Sequence, residues 1–348
     1  RLTVQGPVGD PEVYDNLATP ADGETALTKS AWVRGTNQGS ATAAPNNNPK
    51  ILAATALSAG SDDRESITAT HHTNALSVFG PELGTGCFGV PGQAAATVSA
   101  ACIAHAKTYS RLWLAATAVG QTDTQARTAA AGLLADGNDC AGLFWPWVKV
   151  PLGGGATKLI SPEGFVAGKR ARKIIDVGVW EAPAGEAGIG NFIVGFEVET
   201  SKTVGDQCNA ANVNVIRTVA GKPRLYGWRS LSPNTQNFYL LTSRDLLDVL
   251  RYQGEAILEP FVFKSIDGAG KLLGRIKGSL VALAEGYRRA GGLFELIDQV
   301  TGKQIDPGYS VDVGPSINTL ANLQGNRVAA QLAYVLRQLG HPGVATLI

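Results

Sequence analysis

The chain has 348 residues, with 30 Lys and Arg against 29 Asp and Glu and a formal net charge of +1. Only 17% of its residues are charged, against about 25% in an average soluble protein. So sparse and balanced a surface favours association and argues against non-specific nucleic-acid binding, which needs a basic field. The 44% hydrophobic fraction excludes a disordered chain, and no apolar run approaches the ~20 residues of a membrane span.

Residues 1–75 are rich in Thr, Ala, Asn, Gly and Pro and are expected to form a small, β-rich, loop-rich module. Leu2–Val4 and Ala31–Val33 are predicted as isolated strands, and the tract from Gly39 to Pro49 as a loop. Gln93–Thr108 is predicted as an Ala-rich helix, Arg111–Val119 as a buried strand, and Thr122–Leu134 as a helix with Thr122 at its N-cap. Cys140–Val150 is predicted as a strand interrupted by Pro146. Strand, helix, strand in this order indicates an α/β unit with parallel neighbours. Phe165–Ile175 is predicted as a short helix, followed by strands at Asn191–Glu199, Val213–Val219 and Leu225–Leu231. Ser243–Glu259 is predicted as an amphipathic helix with Ser243 as N-cap, and Asp267 as the cap of a second one running to about Ala290. Residues 327–339 fit a helix through Val328, Leu332, Val335 and Leu339, and a strand through Val328, Ala330, Leu332, Tyr334 and Leu336. The terminal Val344–Ile348 is apolar, an adhesive edge unless something covers it.

Little of this points to catalysis. The chain has no GxSxG elbow and no HExxH. His71-His72 lies near Ser61–Glu65, a predicted surface turn, and adjacent residues on a strand chelate poorly. His105 is expected to be structural. Gly153-Gly154-Gly155-Ala156-Thr157-Lys158 lacks the strand-to-helix context of a phosphate loop, because Pro162 follows; Gly188–Phe192 is likewise a turn before a strand. Cys87, Cys102, Cys140 and Cys208 form no CxxC pair and are expected to be small buried hydrophobes. No catalytic, cofactor or metal residues are predicted. Two basic clusters, Lys169–Lys173 and Arg288-Arg289, fit either a solvated helix face or a docking patch for an acidic partner.

The stretch from 145 to 185 carries Trp145-Pro146-Trp147, then Pro162-Glu163-Gly164 through Gly168-Lys169-Arg170-Ala171-Arg172, then Gly178-Val179-Trp180-Glu181-Ala182-Pro183. It resembles the contractile tail sheath proteins of bacteriophages and related injection particles. Asn214-Val215-Ile216-Arg217, Tyr226-Gly227-Trp228-Arg229-Ser230-Leu231, Ser243-Arg244-Asp245 and Phe261-Val262-Phe263 follow in the family's order. The likeness covers roughly residues 75–348. Ile174 and Val177 depart from the family's polar residues there.

The resemblance implies an α/β (α+β) sheath-type core, a mixed sheet flanked by helices, beyond the N-proximal module. The expected domains are 1–75, an outer variable module; 76–235, a middle sheath domain; and 236–348, a C-terminal sheath domain ending in a linking strand. It favours strand over helix for 327–337. The absence of methionine suits a chain whose N-terminal arm precedes residue 1. The implied role is structural, not enzymatic: a virion or injection-particle sheath subunit that polymerises with itself around an inner tail tube, meets baseplate and tail terminator proteins, contacts no nucleic acid directly and does not insert into a membrane; the alternatives are another virion structural protein, capsid or baseplate, and, behind that, an α/β hydrolase-type enzyme. Assembly would take place in the host bacterial cytoplasm. Val344, Ala345, Thr346, Leu347 and Ile348 are the candidate inter-subunit arm. Arg288, Arg289 and Arg337 are the candidate tube-facing residues. Pro146, Trp147, Pro162, Gly164, Gly168, Arg172, Trp180 and Pro183 form the motif, with the prolines fixing turns, the tryptophans anchoring the core and the two glycines permitting close packing.

Overall fold

The computed structural model describes residues 1–6, 9–39, 53, 66–235, 237–325, 327–336 and 341–347, with the backbone alone described for 153, 336 and 341–347. The Gly39–Pro49 loop beyond residue 39, the Ser61–Glu65 turn, Arg337 and Ile348 lie outside the described residues. The chain divides into two compact units, Arg1–Asp63 and Arg64–Ile348.

In the first unit β1 (Leu2–Val4) pairs antiparallel with β2 (Glu12–Tyr14), and α1 (Pro20–Leu27) follows. Thr19 and Asp22 close a capping box around Pro20 at the first helical position. The expected β-rich module is not confirmed. Ala31–Val33 is a bend rather than a strand, because Ser30 Oγ accepts from both the Trp32 and the Val33 N–H at 3.1 Å and turns the chain there.

The second unit opens with α2 (Ala69–Ala75), β3 (Gly86–Phe88), α3 (Ala95–Thr108), β4 (Arg111–Ala116), α4 (Asp123–Leu133) and β5 (Ala141–Trp145). It continues with β6 (Val148–Gly153), β7 (Ala156–Ile160), α5 (Glu163–Asp176), β8 (Gly195–Phe196), α6 (Lys202–Ala210), β9 (Val213–Val219) and β10 (Lys222–Leu225). Five strands form a mixed sheet in the order β10-β9-β5-β4-β3, parallel except for the β9–β10 hairpin. Every residue of β4 and β5 is buried, as strands covered on both faces require. The side chains alternate. Trp113, Ala115, Leu143, Trp145, Val213 and Val215 pack against α3, α4 and α6. Leu112, Leu114, Phe144 and Ile216 face Phe165 and Val166 of α5. Cys102, Cys140 and Cys208 are buried in the first of these layers, and all four cysteines are free.

The rest comprises α7 (Leu241–Leu258), α8 (Lys271–Arg289), β11 (Leu296–Ile297), β12 (Gln304–Asp306), β13 (Tyr309–Asp312), α9 (Leu320–Gln324), β14 (Ala330–Leu336) and β15 (His341–Leu347). A three-stranded antiparallel sheet, β13-β14-β15, contributes Val311, Leu332 and Tyr334 to a second core with Leu246, Leu250, Leu272, Ile276 and Leu280. Residues 330–336 are thus a strand. The period-two pattern prevails because one face of the strand meets α7 and α8.

Several expected elements differ. The 140–150 strand is two strands in different sheets, parted at Pro146, whose peptide bond is cis. Only Gly195–Phe196 of the 191–199 run forms a ladder, along β6. The strand expected at 225–231 ends at Leu225. Beyond it, buried Asn side chains take the backbone groups: Asn214 Nδ2 donates to Arg229 O at 2.9 Å and Asn212 Nδ2 to Ser230 O at 2.7 Å. Ser243 is not a cap, because α7 starts two residues earlier, where the Leu241 N–H reaches Trp228 O at 3.2 Å. Asp267 does cap α8, from outside the first turn. Its carboxylate accepts from the Ala269, Lys271 and Leu272 N–H groups while Gly270 turns the chain at φ +72°. His71 and His72 lie on α2, where His71 Nδ1 accepts from the Thr68 N–H. Gly154 and Gly155, both at positive φ, make the turn of the β6–β7 hairpin.

Candidate assembly surfaces

The 145–185 motif divides between support and exposure. Trp145 Nε1 donates to Gln121 O at 2.8 Å and Trp147 Nε1 to Thr117 O at 2.9 Å, tying the break at buried Pro146 to the ends of β4 and α4. Pro162 is buried at the N-cap of α5, and Pro183 is buried. Trp180 belongs to the second core, edge-on to Tyr287 at 5.8 Å. A Cβ on Gly178 would stand 2.3 Å from its ring and one on Gly292 2.7 Å, so these two glycines make room for the indole. Gly164 and Gly168 do not permit close packing within the chain. Both are exposed, and a Cβ on either would meet no described atom within 4 Å.

Arg172 is also exposed and pairs locally with Asp176. Its neighbour Arg170 is the residue turned inward. Arg170 Nε and Nη2 donate to the two carboxylate oxygens of Asp245 at 2.7 and 2.5 Å, with side chains 10% and 3% exposed. On α7, the adjacent Arg244 bridges Asp139, ahead of β5, and Asp248. Burial pushes the Asp248 carboxyl up to about 6 against the pull of Arg244, and pushes Asp245 up against Arg170. These contacts join the two cores through α5 and α7. The sequence placed Arg170, Arg244 and Asp245 among the family motifs but did not pair them; the available signal was charge on an apolar face, with Arg170 one turn from Val166, and Asp245 beside Leu246. The same helices and α8 border an open apolar groove of about 670 Å³ over Ile174, Trp180, Val249 and Leu283.

Neither basic cluster is a uniform cationic patch. In the first, Arg170 is buried and Lys173 meets Glu181 at 2.5 Å. In the second, Arg288 donates to Glu285 and Glu295, and Arg289 to Glu285. Hydrogen bonding from Arg288 first, then from Arg289 and Tyr309, holds Glu285 down at about 2. Arg289 is the more exposed of the two, at 74% of its side chain. The backbone of Val344–Leu347 lies in β15, paired with β14 of its own chain from Ala330↔Leu347 to Leu336↔His341. His105 is buried, 3.1 Å from Arg111 through Nε2 and edge-on to Phe88. Among the described residues no three His, Cys, Asp or Glu come together as metal ligands, and no helix is long and apolar enough to cross a membrane.

A parallel-centred sheet flanked by helices, joined to a helical pair under a terminal antiparallel sheet, is similar in fold to chains of solved contractile injection assemblies. A chain of the anti-feeding prophage baseplate in its contracted state is 16% identical over 77% of this chain and 72% of that one, with a TM-score of 0.61. The sheath complex of an extracellular contractile injection system (PVC), contracted, is 18% identical over 69% and 64%, at 0.57. The contracted helical sheath of the anti-feeding prophage is 19% identical over 69% and 63%, at 0.55. No protein-family model and no curated protein matches. The fold is that of a contractile tail sheath protein, as the 145–185 motif implied. The chain spans less than two thirds of the length of those two sheath chains.

Proposed function

We propose that this protein is a structural, non-enzymatic subunit of a contractile sheath. It polymerises around an inner tail tube and, by switching between two packings of rigid subunits, drives the tube through a target cell envelope. The observation that carries this is the shared fold with two contracted sheath assemblies. The ion-paired junction of α5 and α7 supports the rigid-body part, because a subunit that transmits force needs its two cores fixed to one another. The partners are further copies of the chain, the tube, the baseplate and the tail terminator, in a virion tail or a phage-derived injection particle assembled in the bacterial cytoplasm. Residues 1–75 serve as the outer module, 76–235 as the middle domain and 236–348 as the C-terminal domain. The strand from 344, paired with β14 in the single chain, links neighbours by exchanging that pairing for a place in a neighbour's sheet, and Arg289 with Arg288 and Arg337 faces the tube.

Electron microscopy of the expressed protein tests this reading. Hollow striated tubes support it; closed shells or a persistent monomer overturn it. A baseplate component is the second reading, favoured by the match to a baseplate assembly. It predicts small rings that do not elongate.

A further inference from the structure

The ion pairs that join the two cores do not balance. Arg170, Arg244, Asp139, Asp245 and Asp248 form one buried group, with side chains from 2% to 14% exposed. Two cations face three carboxylates. Both oxygens of Asp245 accept from Arg170. Arg244 divides its guanidinium: Nη1 donates to Asp139 Oδ2 at 3.2 Å and Nε to Asp248 Oδ1 at 2.9 Å. That leaves the other oxygen of Asp248, Oδ2, buried with no hydrogen-bond donor among the described residues. An anionic oxygen in that position bears the full cost of its desolvation.

Among the described side chains no second cation bonds to Asp248. From β14, Tyr334 donates to Ser243 O at 3.3 Å; burial first, then the Asp248 charge, raises its phenol, which stays neutral. Cys140, just before β5, is pushed up to about 11, chiefly by burial, and is neutral too. Lys107 of α3, whose charge is felt at Cys140, is exposed. Arg111 of β4 donates to the carbonyls of Phe79, Gly80 and Gly84. The α8 side of the core holds Leu272, Ile276, Leu280 and Tyr287, and the Tyr287 hydroxyl donates to Gln253. Strand β15 brings one titratable residue, His341, whose backbone pairs with Leu336.

We propose that the α7 junction is a proton-operated clamp: a single proton on Asp248 Oδ2 removes the surplus negative charge and fastens the two cores more firmly to one another. Oδ1 stays with Arg244, so the frame of ion pairs is kept while two cations come to face two carboxylates. The electrostatics agree with the geometry. Burial, working against Arg244, pushes Asp248 up to about 6 from an ordinary 3.8. Between those values the folded chain holds a proton that the unfolded chain lacks, so this group makes the fold more stable as pH falls from about 7 to about 4. Glu285, held down by its arginines, acts in the opposite sense. The clamp lies within one subunit and does not depend on assembly.

Asp248→Asn in the full chain tests this, because the amide copies the neutral acid. Removing one member of an ordinary buried ion pair is strongly destabilising. Here the Asn variant should instead be at least as stable as wild type in urea unfolding at pH 7.5, below the concentrations that give assembly. Its advantage, read as a ratio of folding constants, should shrink about tenfold between pH 7.5 and 5, the change that a shift from 3.8 to about 6 produces. The histidines are common to both proteins and cancel in that ratio. At pH 7.5 the amides of β14, tied to α7 through Tyr334, should exchange with solvent more slowly in the variant than in wild type. A variant that is less stable than wild type at pH 7.5, or that does not fold, overturns the proposal, since the ion pair then outweighs the surplus charge. A ratio that is the same at both pH values also overturns it. Asp139→Asn is the second variant: if it abolishes the pH dependence and Asp248→Asn does not, the proton belongs to Asp139 and the assignment to Asp248 falls. Equal exchange of β14 in variant and wild type overturns the coupling between the cores.

Discussion

Replacing Arg170 with Met leaves the Asp245 carboxylate, 3% exposed and bonded in two places to the lost guanidinium, buried without a partner. Removing one member of a buried pair costs about 3–5 kcal/mol, because the remaining charge must be held desolvated or take up a proton. Asp245 already sits above its usual range despite Arg170, so Arg170→Met should drive it to the neutral acid. With a urea slope near ~3 kcal/mol per molar, the midpoint should fall by more than about 1 M. Replacing both residues, Arg170→Met with Asp245→Leu, removes the stranded charge and restores apolar contact, so the double variant should recover most of the loss. The assay is urea unfolding followed by tryptophan fluorescence, at protein concentrations below those that give assembly. A single-variant cost under about 1 kcal/mol, or a double variant less stable than Arg170→Met alone, would refute the argument that charge burial dominates this contact.

Trp180→Ala should cost about 3–5 kcal/mol in the same assay, since it vacates a site shaped by Gly178 and Gly292. Gly292→Ala should cost about 1–3 kcal/mol for the opposite reason, forcing a methyl to 2.7 Å from the indole. Deleting residues 340–348 removes β15 and its seven-residue pairing with β14; tube formation should be lost while far-UV circular dichroism reports a folded body, and tubes that still form would refute the linking role. Glu285 is held at about 2 against an ordinary 4.5, so its contribution is complete above pH ~4.5 and fades as pH falls through about 2. Glu285→Gln should lower the melting temperature at pH 5 and flatten the decline between pH 5 and 2, as read by thermal melts at each pH.

Much of the fold was legible because it depends on local pattern. The apolar run expected as a strand over Arg111–Val119 forms one over Arg111–Ala116, buried throughout, and Thr122 is the N-cap expected of it, in a capping box with Gln125. The pairing within the basic clusters was not legible, for a physical reason. Charge counted along the chain does not tell which guanidinium points inward, and Arg170 meets its partner 75 residues away. The glycines show the same division: Gly178 and Gly292 yield space to Trp180, whereas Gly164 and Gly168, closer to a recognisable packing motif, face outward.

The sequence by itself determined the α/β class, the sparse and balanced charge and the sheath resemblance, because burial periodicity, composition and ordered motifs are properties of the chain read locally. Only the tertiary structure decided that Asn212 and Asn214 take up backbone groups of 229–230 beyond the end of β10, and that β15 returns to β14. Those outcomes turn on which polar groups find partners, and hydrogen-bond partners distant along the chain are chosen only when the cores close around them.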